Sequence, residues 1–340
     1  MPGGWPLISP EIPAEHPRLH TVLFIEREET MNAFLKVSVS ALALLLLPVT
    51  AQAKPFTQLV AFSGALTDTG NFSSVKGDMP APFYKNRTTN GPVAIDVLAE
   101  RLGLEAKPSM HLVKQAKKPQ GTNYAVVDAL AGGNGPHDLP AQISAHLDSR
   151  GGKADPDALY FVFIGGNDVV MAAMTPDPQK AEAMLDKAVA GIETAIHELV
   201  AAGARTIMAP DFIDVGMAPA VRGMGAGPQA WATRMSDSYN AKFNTMLDKV
   251  EKEKSFELIR WEFSRFVKNV AAHGEEFGFT NMTDSCMALK PAGKCDFDKF
   301  VFFNEQYPTA RVHELMGSAM ALAVLERPAD GETEAAVAAK

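Results

Sequence analysis

The chain has 340 residues, of which 46% are hydrophobic and 21% charged. These are globular values, and they exclude a disordered, collagen-like or polytopic membrane protein. A net charge of -8 gives no reason to expect a nucleic-acid partner. Two cysteines rule out a Cys-rich zinc module.

The first readable element is a leader. Met31-Asn32-Ala33-Phe34-Leu35-Lys36 precedes an apolar run of 13 residues, Val37 to Val49, with five leucines, and Ala51-Gln52-Ala53 follows. A short basic region, an apolar run of about 7–15 residues and an A-x-A site describe a secretory signal peptide over 31–53. The run is short for a bilayer span, so no transmembrane segment is expected after its removal. Residues 1–30 are rich in proline and carry Glu26, Glu28 and Glu29, so Met31 is read as the true start. The expected product is exported, to the periplasm or beyond. It retains 340 − 53 = 287 residues, with charge −8 − (−2) = −6.

Along that product, short apolar runs alternate with amphipathic stretches. Gln58–Phe62 reads as a buried strand, and Pro92–Leu102 as a helix stopped by Gly103. Ala158–Ile164 is the strongest strand and ends at Gly165-Gly166. Pro178–Ala202 is a long helix with proline in its first turn and Gly203 at its end. Thr206–Ala209 is strand-like, Met217–Pro228 reads as a Met-rich loop, and Gln229–Lys252 as a helix. Phe256–Trp261 is a strand, Thr309–Leu325 the last helix, and 327–340 a frayed tail. This alternation predicts an α/β fold: a three-layer α/β/α sandwich around a parallel sheet, in one domain over 54–326. Ligands in such folds sit at the carboxyl ends of the strands, here the loops after Phe62, Ile164 and Ala209.

Motifs occupy those loops. Phe62-Ser63-Gly64-Ala65-Leu66-Thr67-Asp68-Thr69-Gly70-Asn71 follows the first strand, and Gly165-Gly166-Asn167-Asp168 the strongest one. Between them lie Asn86-Arg87-Thr88-Thr89-Asn90-Gly91-Pro92 and Gly121-Thr122-Asn123-Tyr124-Ala125; Asn304-Glu305-Gln306-Tyr307-Pro308-Thr309 precedes the last helix. In this order the motifs resemble the GDSL family of SGNH hydrolases, and within it the secreted bacterial acylhydrolases and lysophospholipases. The resemblance spans roughly Thr57 to Leu325. It implies the flavodoxin-like SGNH fold, ester hydrolysis without a cofactor, and acyl-lipid or glycan ligands.

The resemblance stops at the chemistry. The family's first block, F-G-D-S-L-S-D-T-G-N, carries its nucleophile where this chain has Ala65. Its last block, D-x-x-H-P-T, places the acid and base where Asn304 and Tyr307 stand. The glycine pair of its second block is replaced by Val127-Asp128. Asn167 alone keeps an oxyanion-hole residue. Alanine has no Oγ to form an acyl-enzyme, and losing such a serine costs about 10⁶ in rate in a serine protease. Asparagine for the acid costs about 10⁴ there, and a neutral tyrosine is a poor base at pH 7. Ser63 and His313 are the candidate substitutes, and Gly64, Asp68, Asp128, Gly166 and Asp168 are expected around the pocket. Asp68, Asp128 and Asp168 with Asn304 are the oxygen donors that a hard cation would need. Their spacing matches no metal motif, and no metal is expected. The resemblance also implies a Cys286–Cys295 disulfide in an oxidising compartment. The sequence therefore predicts an exported, lipase-like protein that has lost serine hydrolysis and keeps a ligand-binding or scaffolding role, with an active hydrolase built on other residues as the alternative.

Overall fold

The computed structural model describes residues 56–113, 118–289 and 295–327. All belong to one compact unit, Lys54–Pro328. The expected signal peptide, the extension before it and all but the first residue of the tail lie outside the described residues.

Four strands form a parallel sheet in the order β1-β2-β3-β4: β1 Leu59–Ser63, β2 Leu159–Phe163, β3 Thr206–Pro210 and β4 Glu257–Trp261. β1 and β2 pair in register from Leu59 with Leu159 to Ser63 with Phe163. The first three strands are buried throughout. Val60, Phe62, Tyr160, Val162, Ile207 and Ala209 turn to one face; Leu59, Ala61, Leu159, Phe161, Phe163 and Met208 turn to the other. A strand covered on both faces reads as an unbroken apolar run, which is why these were legible in the sequence.

Among the described residues, seven helices of eight or more residues cover the faces: α1 Ala94–Arg101, α2 Leu139–Asp148, α3 Gly166–Ala173, α4 Pro178–Ala202, α5 Ala226–Glu251, α6 Phe263–Ala272 and α7 Ala310–Leu325. Helices α2 to α5 pack on the first face, and α1, α6 and α7 on the second. The strand path explains the split. The extended stretch Thr122–Val126 runs along the free edge of β1, through Ala61 N to Thr122 O (3.0 Å), Tyr124 N to Ala61 O (2.7 Å) and Val126 N to Ser63 O (3.1 Å). The chain first moves from β1 to this edge, over α1. It then crosses back to β2, β3 and β4 over α2, α4 and α5. Right-handed crossovers in opposite directions lie on opposite faces of a sheet. The reversal falls at β1, and the crevice beyond the carboxyl end of that strand is where such a sheet holds ligands.

The strands and helices expected from the periodicity stand within a few residues of their places, while α2, α3 and α6 were not expected. The 217–228 segment differs: it holds a helical turn at Pro219–Arg222, and α5 starts at Ala226. Pro228 hid that start, yet proline is tolerated in a first helical turn because its missing N–H has no helical partner there. A small parallel pair, β5 Asn281–Ser285 and β6 Phe300–Phe302, supports the segment that leads to α7. β5 is too polar to show a strand pattern.

Candidate functional site

Three turns meet at the carboxyl end of β1. Ala65 opens a 3-10 turn, Ala65–Thr67, directly after β1, and is buried. Gly165, with φ +113°, turns the chain from β2 into α3. A Cβ there would lie 2.2 Å from the Tyr239 hydroxyl, which donates to Ile164 O at 2.9 Å, so only glycine allows the turn. That turn sets Asn167 and Asp168 in the first turn of α3. The third turn, Asn304–Tyr307, folds over the Asn304 side chain: Oδ1 accepts from Gln306 N (2.9 Å) and Tyr307 N (2.8 Å).

Side chains of the 86–92 segment clamp these turns together. Thr88 Oγ1 donates to Ala65 O (2.9 Å) and Thr89 Oγ1 to Pro308 O (2.8 Å). Asn90 Oδ1 accepts Ala310 N (2.9 Å), capping the start of α7 from outside the helix. Arg87 grips Asp96 through Nε and Nη2, at 3.0 and 2.9 Å. Nothing in the local sequence reports these roles, because every partner but Asp96 is distant in the chain.

Beneath the turns lies a buried polar frame. Asp68 Oδ1 accepts from Gly70 N (2.7 Å) and Asn71 N (2.8 Å), and Oδ2 from Phe72 N and Val127 N (3.1 Å each). Burial pushes the Asp68 pKa up to about 6, against the four N–H groups that pull it down. Asn71 Nδ2 donates to Asn123 O and Ala125 O, and its Oδ1 accepts Met110 N. Asn123 Nδ2 donates to Thr67 O and Thr69 Oγ1. Asp168 accepts Ala131 N (2.8 Å) and Gly132 N (3.0 Å), and burial raises its pKa.

The oxyanion-hole position is committed elsewhere. Asn167 Nδ2 donates to Val127 O (3.0 Å) and Ala129 O (2.8 Å), which uses both amide hydrogens. Val127 N is held by Asp68. Tyr307 lies largely buried against the core of the second face. Burial pushes its pKa up first, and the charges of Asp128 and Asp68 add to this. Its phenol therefore keeps its proton at neutral pH.

Ser63 and His313, the candidate substitutes, face away. The Ser63 hydroxyl is buried and donates to Phe163 O on the next strand. His313 is fully buried in α7; Nδ1 accepts Ala94 N (3.1 Å), so the proton is on Nε2, which has no partner. Burial lowers its pKa to about 3, so it is neutral. Gly64 lies between strand and pocket, where an added Cβ would be 3.7 Å from Asn167 Nδ2. Asp68 and Asp168 spend both carboxylate oxygens on backbone N–H groups, and Asn304 holds its own turn. No cluster of three or more His, Cys, Asp or Glu suited to a metal occurs among the described residues.

One pair was not legible in the sequence. Asp128 Oδ1 meets His137 Nδ1 at 2.5 Å on the rim of the pocket. Gln142 fixes the other side: its Nε2 donates to His137 O and Ser63 O (2.9 Å each), and its Oε1 accepts Ser63 N (2.9 Å). Cys286 and Cys295 form a disulfide behind the 304–307 turn, with Cα atoms 5.9 Å apart.

A parallel sheet between two helical layers, with a polar crevice at the reversal of its strand path, defines a doubly wound α/β protein. The GDSL-like lipase/acylhydrolase family profile matches residues 60–320, and the chain belongs to that family. Lipase 1 of Photorhabdus luminescens is 30% identical over 171 residues, half of this chain and 24% of that protein. A GDSL esterase/lipase of Arabidopsis thaliana is 24% identical over 315 residues, covering 76% of this chain and 84% of that protein. The chain thus spans between a quarter and most of the length of curated relatives. An acetylxylan esterase from Geobacillus stearothermophilus superposes with TM-score 0.44 at 11% identity, over 83% of this chain and 98% of that one.

Proposed function

We propose that this chain is an exported member of an ester-hydrolase family that has lost the serine route, and that its pocket serves to bind an acyl or glycan ligand. The observation that carries this is Ala65 at the end of β1, where the family's motif has its nucleophile. Without Oγ no acyl-enzyme forms, and nothing in that mechanism then needs an acid–base pair at 304 and 307. The hydrogen bonds of Asn167 and Val127 support the same reading, since both oxyanion donors are spent on the fold. So do the buried Ser63 hydroxyl and the His313 ring, which leave the alternative of a rewired serine pair without a reachable nucleophile.

The test is covalent. The full chain and the triple variant Ala65→Ser/Asn304→Asp/Tyr307→His are treated with a fluorophosphonate probe and with 4-nitrophenyl butyrate, and intact mass is recorded. No adduct is expected on the unmodified chain. The triple variant should gain one on residue 65. Labelling of Ser63 or any other serine in the unmodified chain would overturn the reading. Export is tested separately, by N-terminal sequencing of protein from the cell envelope. The expected first residue is Lys54.

A further inference from the structure

Three imidazole–carboxylate pairs occur among the described residues: His137 with Asp128, His197 with Glu253, and His273 with Glu276. The last two lie on helix surfaces, one bridging α4 to the end of α5 and one after α6. The first is built into the pocket from both sides. Asn167 bonds the carbonyls on either side of Asp128, those of Val127 and Ala129. Gln142 bonds the His137 carbonyl and, through the same amide, the end of β1 two residues before Ala65. The ring and the carboxylate are thus referenced to the same frame as the empty nucleophile position. Asp128 also acts electrostatically on Tyr307.

The pairing fixes the tautomer. A carboxylate on Nδ1 takes that proton as a hydrogen bond, which leaves the Nε2 lone pair as a base. Among the described residues Nε2 has no protein partner, and the His137 side chain remains 21% exposed. This is the base-and-orienter half of a hydrolytic triad, and no hydroxyl or thiol among the described residues bonds to the ring.

We propose that Asp128 and His137 form a general-base pair that drives direct attack of water on small carboxylic esters at the rim of this pocket. It rests on the reading that Ala65 closes the acyl-enzyme route, and it names what remains open. Water's oxygen bonds to the carbonyl carbon as His137 Nε2 takes its proton. Asp128 stays ionised and steadies the imidazolium. The tetrahedral adduct then expels the alkoxide, which takes the proton back from Nε2. Ester plus water gives acid plus alcohol, with no covalent enzyme intermediate and no other reactant. With Asn167 and Val127 N–H already bonded, little stabilises the oxyanion. The reaction is therefore confined to esters with good leaving groups.

The test uses 4-nitrophenyl acetate with the full chain, His137→Gln, Asp128→Asn, His197→Gln and His273→Gln, each checked by thermal melting. General-base catalysis contributes about 10²–10⁴, so His137→Gln should lower the rate above buffer by about 10²-fold. Asp128→Asn should lower it with the ring still in place, because an amide donating to Nδ1 moves the proton to Nε2. The two surface variants should leave it unchanged. If His137→Gln fails to fold, Asp128→Asn carries the same decision. Hydrolysis no faster than buffer, a rate that survives both pocket variants, or equal losses in all three histidine variants would overturn the proposal. An acyl adduct in the mass spectrum would instead overturn the closed serine route, so the two failures are distinguishable.

Discussion

The frame around Asp68, Asn71 and Asn123 and the positions 65, 304 and 307 lie side by side, yet they relate to the family's motifs in opposite ways. The frame matches, and each matching side chain carries buried hydrogen bonds: four into Asp68, two carbonyls on the Asn71 amide, and a carbonyl and the Thr69 hydroxyl on the Asn123 amide. The three site positions differ; Ala65 and Asn304 do not hold the fold through the altered group, while the Tyr307 ring adds packing against the core of the second face. Ala65 is held by its backbone carbonyl, and Asn304 accepts two N–H groups through an oxygen that an aspartate would also supply. The difference separates residues that a fold needs from residues that only a reaction needs. Changing those three positions therefore leaves the sheet and the turns standing.

The largest test of this contrast compares two asparagines. Asn71→Ala removes both acceptors' partners and leaves Met110 N unpaired in a buried place. Each orphaned group costs about 1–3 kcal/mol, so a loss of about 4 kcal/mol is expected in urea unfolding. Asn304→Ala frees two N–H groups at a half-exposed turn, where water replaces the side chain, and should cost about 1 kcal/mol. Equal losses would break the contrast.

A second test concerns the core beside the frame. His146 is fully buried among Phe62, Tyr124 and Tyr160, and neither ring nitrogen has a partner. Burial lowers its pKa to about 4, with a smaller push from Arg150. The folded value lies below the ordinary 6.5, so the unfolded chain takes the proton first. Its neutral burial costs nothing above pH 6.5, and stability is lost as pH falls from there towards 4. By pH 4 the loss is about 3 kcal/mol. Asp68, raised to about 6, has the opposite sign, but it is present in both proteins of a comparison. The unfolding free energy of the parent relative to His146→Phe should therefore fall by about 3 kcal/mol between pH 7 and pH 4. A constant difference would mean that the imidazole is wet or bonded in solution.

The sheet and the helices α1, α4, α5 and α7 were legible because each is written in a local period or a turn; α2 and α6, of ten residues each, were not. β2 is a run of apolar residues ended by two glycines, and α4 carries its own proline start and glycine stop. Ala65, Asn304 and Tyr307 were legible through the motifs around them. Thr88, Asn90, Gln142 and the Asp128–His137 pair were not, because each acts across a distance in the chain that no short pattern spans. Asn167 shows the limit most clearly. Its identity matches an oxyanion donor, while its two hydrogen bonds, visible only in three dimensions, assign it to the 127–129 backbone. α3 was hidden for a related reason: Gly-Gly-Asn-Asp reads as a turn, and here the turn is also the start of a helix.

A smaller effect than at Asn71 or His146 is expected at the disulfide, and it sharpens where the contrast ends. Cys286 and Cys295 sit at a Cα separation compatible with a bond. Met287 N donates to Phe303 O, and Ser285 Oγ to Glu305 Oε1 at 3.4 Å, so the bridge backs the 304–307 turn and not the frame. A short loop closed by a disulfide contributes about 2 kcal/mol through the unfolded chain. Cys286→Ser/Cys295→Ser should lower urea stability by about that amount. Hydrogen exchange should quicken over 281–307, while Asn71 and Asn123 keep their protection. Faster exchange reaching the β1 edge would show that frame and site region unfold as one unit. Unchanged exchange at 303–307 would show that β5 and β6 alone hold the turn.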